Sequence, residues 1–311
     1  MVNVLIFGAS GHQGLTTCKS LLHSENPLLK KVRAFSPTHD PELEKLKRGH
    51  NGHLMEICVG DIADPNAVRN AFSNIQRVVL IQNPIHYGTT LKEGCEKELE
   101  YGRSIINLAA TTGSVTDFVL SSWVACGTAK NVLPLKVKYD LEETLQTKKS
   151  KFNNISIIRL GFFFDNLLND TLIVEKLANG KLSLPLHQST RLPGVAIDDI
   201  GSAICQCVLD PSKLKFHNNI VELVSEFVTP EYMASTLQVP FEESSLAEYP
   251  DKCQAQIWAF WQLEGVHPDM SFVMESFPSL MNFEQFASKK SLVSKSQERV
   301  IQEVEKGTGI V

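Results

Sequence analysis

Three glycines at a fixed spacing are the first residues of this chain that imply chemistry: Gly8-Ala-Ser10-Gly11-His12-Gln13-Gly14. They sit between an apolar, β-branched run, Val2–Phe7, and a stretch whose apolar residues, Leu15, Cys18, Leu21 and Leu22, recur at helical spacing. One glycine lets the chain turn sharply out of a strand. A second lets backbone approach a pyrophosphate, and a third lets the helix lie close on the sheet with its N-terminus facing the anion. The reading is a dinucleotide site built by Gly8, Ser10, Gly11, His12, Gln13 and Gly14; the plain alternative is a tight turn. Two more places fall where strands should end. Gln82-Asn83-Pro84 closes the run Arg77–Gln82 and either borders a ring of the bound dinucleotide or simply breaks the strand. Ser121-Ser122 closes Asp117–Leu120 and either offers that ring a hydroxyl or forms a strand-ending turn. His50-x-x-His53 lies in a Gly/Asn-rich loop without further ligands nearby, so no metal is expected. Neither a Gly-x-x-x-x-Gly-Lys-Ser/Thr phosphate loop nor a Gly-x-Ser-x-Gly elbow occurs.

Such residues need a scaffold, and the first half of the chain reads as one. Short strands are expected at Val2–Phe7, Val32–Phe35, Met55–Val59, Arg77–Gln82, Asp117–Leu120 and Ile155–Leu160. Helices are expected at 12–23, after the Asp64-Pro65 cap, at 94–112 with Leu99, Ile105, Ile106 and Leu108 inward, and at 135–147. Strand, helix, strand at this rhythm predicts a parallel sheet, doubly wound with helices on both faces, of Rossmann type. Further elements are expected near 168–178, 182–184, 194–197 and 199–209, and from residue 229 the text is helical and irregular. The organisation read from this is a dinucleotide-binding domain over 1–155 with 190–225 adding late elements. A smaller, mostly helical lobe follows over 156–288, then a polar tail at 289–311.

The G-x-x-G-x-x-G spacing resembles extended and atypical short-chain dehydrogenases, and further matches resemble the NmrA-like group. Gly60-Asp61-Ile62-Ala-Asp64 resembles that group's G-D-x-x-D, which implies Asp61 and Ile62 beside an adenine. Lys138-Tyr-Asp-Leu-Glu142-Glu143 resembles its K-x-x-x-E-E helix, and Arg159 to Leu168 its R-x-x-x-x-x-x-N-L-L segment around Asn166. Val195 to Gly201 resembles V-x-V-x-D-I-G, and 265–269 a late R-P-D-like turn. The ordered set spans nearly the whole chain and is specific for the family, not for an activity. The resemblance implies a Rossmann-type fold, an NAD(P) cofactor, and either a dinucleotide-sensing regulator or a reductase of quinones, carbonyls or enones.

Two departures matter. A standard short-chain dehydrogenase uses Tyr-x-x-x-Lys, the Lys holding the nicotinamide ribose and lowering the Tyr pKa so that the phenol serves as acid. Here the residue four before Lys138 is Pro134, which has no proton to give, and Tyr139 shares no helix face with Lys138. Lys138, with Ser122, is therefore the candidate for any catalysis; the alternative for Lys138 is a solvated helix lysine pairing with Glu142. The second departure is at the end of the second strand. The family's usual Arg falls on Pro37, while Ser36, Thr38 and His39 are polar and no acidic residue occupies 35–38. That leans toward NADP, with NAD as the alternative. Phe162, Phe163 and Asn166 are candidates for a substrate pocket, the phenylalanines being alternatively core.

Composition sets the outer limits. The 311 residues are 43% apolar and 21% charged, an ordinary globular mix with a formal charge of −5. That excludes a general nucleic-acid binder. Residues 1–155 carry 18 Lys and Arg against 15 Asp and Glu, and residues 156–311 carry 12 against 20. The split of +3 and −8 puts the positive half where phosphates are expected. Seven irregularly spaced cysteines, including Cys205-x-Cys207 whose thiols would point apart on a helix, read as reduced thiols. No basic leader and no run near 20 apolar residues occurs, so a cytoplasmic protein is expected, with a nuclear one as alternative and no membrane partner. A regulatory protein or a small apolar substrate is the expected partner beside the dinucleotide.

Overall fold

The computed structural model describes all residues except 130, 215, 250, 251, 264, 265, 267, 269 and 293–311. The late turn at 265–269 and the polar tail thus fall largely outside the described residues. In chain order the elements are β1 (Val2–Phe7), α1 (His12–His23), β2 (Leu29–Ser36), α2 (Pro41–Arg48), β3 (Met55–Val59), α3 (Pro65–Ala71), β4 (Arg77–Leu80), α4 (Leu91–Thr111), β5 (Asp117–Trp123), α5 (Leu133–Thr147) and β6 (Asn154–Leu160). They continue with β7 (Phe162–Phe163), α6 (Asn166–Asn169), α7 (Thr171–Ala178), β8 (Leu182–Leu184), β9 (Leu192–Val195), α8 (Ile197–Leu209), β10 (Ile220–Leu223) and β11 (Glu226–Val228). The last are α9 (Pro230–Leu237), β12 (Phe241–Glu243), α10 (Lys252–Leu263), α11 (Ser271–Ser276) and α12 (Phe283–Lys289).

The chain divides into two compact units. Unit 1 comprises Met1–Leu160, Ile197–Leu223 and Met270–Pro278. It holds one seven-stranded sheet in the order β10-β6-β5-β4-β1-β2-β3, with every pairing parallel. The chain winds outward from β1 through β2 to β3, then crosses to β4 on the other flank of β1. The β1/β4 boundary, where Phe7 pairs with Leu80, is therefore the switch point at which a doubly wound sheet opens its crevice. One face is covered by α3, α4 and α5 over a core that includes Phe7, Leu80, Phe118, Ile106 and Leu141. On the other face α8 lies against α1 so closely that a side chain at Gly201 would meet Thr16 backbone at 2.5 Å. A late element thus completes the first fold, and β10 extends the sheet beside β6.

Local chemistry explains the boundaries. Asp40 and Asp64 each cap a helix whose first residue is proline, accepting from backbone N–H groups at 2.9–3.0 Å. α4 starts at Leu91 rather than 94 because Thr90 accepts from the Glu93 N–H. Its inward face is the one expected: Ile105 and Ile106 are buried and Leu99 and Leu108 pack, partly buried, against the same core, while Glu98 takes a fully buried position the sequence did not suggest. β2 is longer than Val32–Phe35, since it pairs with β1 from Leu29 to Phe35 and with β3 as far as Ser36. β4 stops at Leu80, leaving Gln82 and Asn83 beyond the strand. Ser121 and Ser122 do not form a strand-ending turn. β6 runs alongside and pairs them with Ile158 and Arg159, so β5 continues to Trp123.

Unit 2 comprises Gly161–Ala196, Val224–Asp269 and, as far as it is described, Ser279–Val311. It is mostly helical, with the small sheets β11-β9-β7 and β12-β8. β12 is a strand inside the stretch the sequence suggested was helical, paired in parallel with β8. Phe164 is its aromatic centre, with rings of Phe283 and Phe286 at 5.2 and 5.5 Å. Gly194 leaves that ring room, since a Cβ there would sit 2.1 Å from it.

Candidate functional site

The glycine loop leaves β1 at Gly8, whose φ of +77° suits only glycine, and enters α1 through Gly11. The three glycines have different jobs. A Cβ on Gly8 would lie 2.2 Å from the Ile81 carbonyl oxygen, and one on Gly14 would lie 2.1 Å from the Gly8 carbonyl oxygen. Both are demanded by the chain itself. A Cβ on Gly11 would meet nothing nearer than 3.5 Å. Its bareness faces open space, which is what a ligand's pyrophosphate would need. α1 begins there with no side-chain cap and no acidic residue in its first turn, so its first N–H groups and its positive dipole end remain available to an anion. Ser10, His12 and Gln13 are half-buried around the loop. The Gln13 side-chain oxygen accepts from the Ser121 hydroxyl at 2.8 Å, tying the loop to β5.

The neighbouring strand ends complete the rim. Ser36, last in β2, is fully buried, and its hydroxyl has no hydrogen-bond partner. Its carbonyl receives the Gly60 N–H at 3.0 Å. Asp61 is exposed and folds its carboxylate back onto the Ala63 N–H, with Ile62 half-buried beside it. The basic residues past β2 are partly cancelled: His39 faces Glu44 at 3.5 Å and Lys45 faces Glu42 at 3.5 Å. Past β4, Gln82 is buried and neither polar atom of its amide makes a well-formed hydrogen bond. Asn83 is exposed and accepts from the Ile85 N–H. Burial, with nearby His12 adding to it, pushes the His86 ring below its ordinary value. Burial pushes the Tyr87 phenol well up, with a polar contact to Gln82 pulling the other way.

Lys138 is not a solvated helix lysine, and it does not pair with Glu142. It is 4% exposed, its ammonium lies 2.5 Å from Glu98 on α4, and it donates to the Gln82 carbonyl at 2.8 Å. Pro134 sits in the first turn of α5, where its missing N–H breaks no helix hydrogen bond. Glu142 instead anchors a separate buried cluster. It accepts from Ser122 at 2.6 Å, from Cys126 at 3.0 Å, and from two nitrogens of Arg159 at 3.0 and 2.7 Å. Arg159 also faces Glu222 at 3.4 Å. Burial works against the Arg159 charge, but its bonds to Glu142 hold it firmly protonated, while burial and Glu142 together push the Cys126 thiol well up. Ser121 and Ser122 point to opposite faces of β5, as neighbours on a strand must. Ser121 meets the glycine loop, whereas Ser122 has no exposed surface.

The structure thus brings together Gly8 to Gly14, Gln82, Ser121 and Lys138 around the ends of β1, β4 and β5. Ser36, Asp61 and Ile62 lie at the ends of β2 and β3. Phe162, Phe163 and Asn166 belong to unit 2, where Phe162 is buried against Trp258, with Phe163 and Asn166 half-buried. Glu98 is the residue the sequence reading missed. A signal was there: it falls four residues after Gly94 and four before Gly102, on one helix face, and all three are buried. Among the described residues no group of three or more His, Cys, Asp or Glu is arranged to hold a metal, and no helix is long and apolar enough to cross a membrane.

Comparison with known proteins agrees with this fold. The model of the NmrA-like family matches residues 2–248. An NmrA-like family domain-containing protein of Dictyostelium discoideum is 24% identical, over 73% of this chain and 73% of its own length. A triphenylmethane reductase of Citrobacter sp., solved with NADP(H), superposes with a TM-score of 0.73 at 15% identity, covering 92% of this chain and 99% of its own. NmrA, a negative transcriptional regulator solved with NADP, gives 0.72 at 15%, covering 98% of each chain. An NADPH-dependent quinone oxidoreductase of Escherichia coli gives 0.70 at 17%, covering 93% of this chain and 99% of its own.

Proposed function

The chain belongs to the NmrA-like family, and we propose that within it this protein is a dinucleotide-binding redox sensor that regulates a partner, rather than a reductase. The observation that carries the reading is the state of Lys138. Lys138, the lysine whose motif suits a nicotinamide ribose, is bonded to Glu98 and to the Gln82 carbonyl, and Pro134 stands where the proton donor would be. Ser122, the other candidate for chemistry, donates its hydroxyl hydrogen bond to Glu142. The binding parts, by contrast, fit a dinucleotide. The open space at Gly11 and the uncapped start of α1 suit the pyrophosphate. The bare hydroxyl of Ser36 suits the adenosine ribose or its 2′-phosphate, Asp61 and Ile62 the adenine side, and the unbonded amide of Gln82, with Asn83 next to it, the nicotinamide side.

NADP is the preferred cofactor and NAD the alternative, since no acidic side chain follows β2 but His39 and Lys45 each face a carboxylate. When bound, the nicotinamide would supply the redox state that is read; this chain's residues hold and orient it. The half-buried Phe163 and Asn166 in unit 2 are where a protein partner or small apolar ligand would be met. The reductase reading draws on the names of two solved neighbours and uses Lys138, with a substrate group or water as the acid.

Calorimetric titration with NADPH, NADP+, NADH and NAD+ tests the binding. Saturable binding that is lost in Gly11→Val, a variant whose Cβ makes only an ordinary contact with the Gly8 carbonyl oxygen at 3.5 Å but whose side chain would occupy the pyrophosphate space, is the expected result. Absence of binding by all four at millimolar concentration would sink it.

A further inference from the structure

We propose that the buried Lys138–Glu98 pair tunes the balance between oxidised and reduced nicotinamide, Glu98 being the specificity-determining residue that removes the bias against the oxidised ring which Lys138 alone would impose. The inference rests on the dinucleotide reading above and goes one step deeper. Oxidised and reduced dinucleotides differ mainly by one unit of charge on the nicotinamide ring, positive when oxidised and neutral when reduced. A protein that tells them apart needs a controlled charge near the ring.

The C-terminal ends of β4 and β5 are next to the glycine loop, since β4 pairs with β1 and the Ile81 carbonyl packs on Gly8. There Lys138 reaches the Gln82 carbonyl at 2.8 Å. Alone, its positive charge would repel an oxidised ring. Glu98 lies 2.5 Å from that ammonium and cancels the charge. The arrangement is not what a packed core would select. Glu98 is 0% exposed, its carboxylate faces the Lys138 ammonium at 2.5 Å, and neither of its oxygens has a further well-formed hydrogen bond. A buried ion pair of that kind is commonly no more stable than two apolar side chains of the same size. α4 is also drawn tightly onto this spot. A Cβ on Gly94 would lie 2.0 Å from the Pro84 carbonyl oxygen and one on Gly102 would lie 2.6 Å from the Gln82 side-chain oxygen. Two glycines, one turn either side of Glu98, seat the carboxylate against the end of β4.

The experiment is a calorimetric measurement of Kd for NADP+ and for NADPH, made on the wild type, Glu98→Gln, Lys138→Met, the double variant and Glu98→Asp, with thermal melts to confirm folding. The quantity read is the ratio of the two constants, NADP+ over NADPH. Glu98→Gln uncovers the ammonium and should raise the ratio roughly tenfold, the scale of one uncompensated charge at a protein's effective dielectric. Lys138→Met uncovers the carboxylate and should lower it by a similar factor. The double variant should return it to within about twofold of wild type. Glu98→Asp draws the carboxylate back by one methylene and should raise the ratio a few-fold; it carries the test if both single variants fail to fold. A purely structural pair would move the melting temperature and leave the ratio within about twofold in every folded variant, and that result overturns the proposal alone. No binding of either form to the wild type overturns the dinucleotide reading, and this inference with it.

Discussion

The glycine loop and the start of α5 both lie at the strand ends of unit 1 where the candidate site falls, and they are built in opposite ways. At Gly11 the chain leaves room that no protein atom fills. At Lys138 the ammonium is taken by Glu98 and the Gln82 carbonyl and the acid's position by Pro134, and in the separate cluster Ser122 is taken by Glu142. The contrast separates binding from chemistry. An enzyme that transfers hydride needs its polar groups free to meet the transition state. A sensor needs only a cradle and a charge arranged to distinguish one ligand from another.

The largest effect that would sharpen this contrast is expected on the closed side. Arg159→Met leaves the Glu142 carboxylate buried with only the neutral donors Ser122 and Cys126. Unfolding by urea should show a loss of about 3–5 kcal/mol; a loss under about 1 kcal/mol would mean that the cluster is not a charge clamp. Next come the glycines. Gly14→Ala forces a Cβ to within 2.1 Å of backbone that cannot move aside, and should cost about 3 kcal/mol. Gly11→Val should keep stability within about 1 kcal/mol and lose the dinucleotide. Equal losses of stability at the two positions would erase the distinction between a structural glycine and a ligand-facing one.

The smallest effect is on His86. Its folded value lies below the ordinary 6.5, so the folded ring stays neutral while the unfolded one gains a proton. Stability tied to this group is therefore full above pH 6.5 and falls as the pH drops toward the folded value. Proton NMR should find the His86 midpoint below that of an unfolded peptide, and His12→Ala should raise it. A midpoint at or above the peptide's would place the ring in water, away from His12.

The order of strands was legible because local signals agreed with the fold: the Asp64-Pro65 start of α3, the apolar runs of β1 and β4, and the glycine turn between β1 and α1; α2 went unread, although Asp40-Pro41 carries the same start signal. The ends of elements were less so. Ser121 and Ser122 look like turn residues, but β6 pairs with them across the full length of β5, a long-range fact that no local window holds. The site was half legible. Gly8, Gly11 and Gly14 announce themselves by spacing. The partner of Lys138 did not, because Glu142 is one helical turn away on the same helix, whereas Glu98 comes from α4, 40 residues earlier in the chain. Glu142 and Arg159 stand in two separate motifs, and only the packing of α5 on β6 shows that they form one cluster.

One measurement bears most directly on a crevice that binds without reacting. The protein is saturated with NADPH, and absorbance at the reduced-nicotinamide band is followed over hours with quinones, aldehydes and enones present. The account predicts binding by calorimetry and no loss of absorbance above the protein-free rate. Consumption of NADPH that is abolished by Lys138→Met would contradict it and make this chain a reductase.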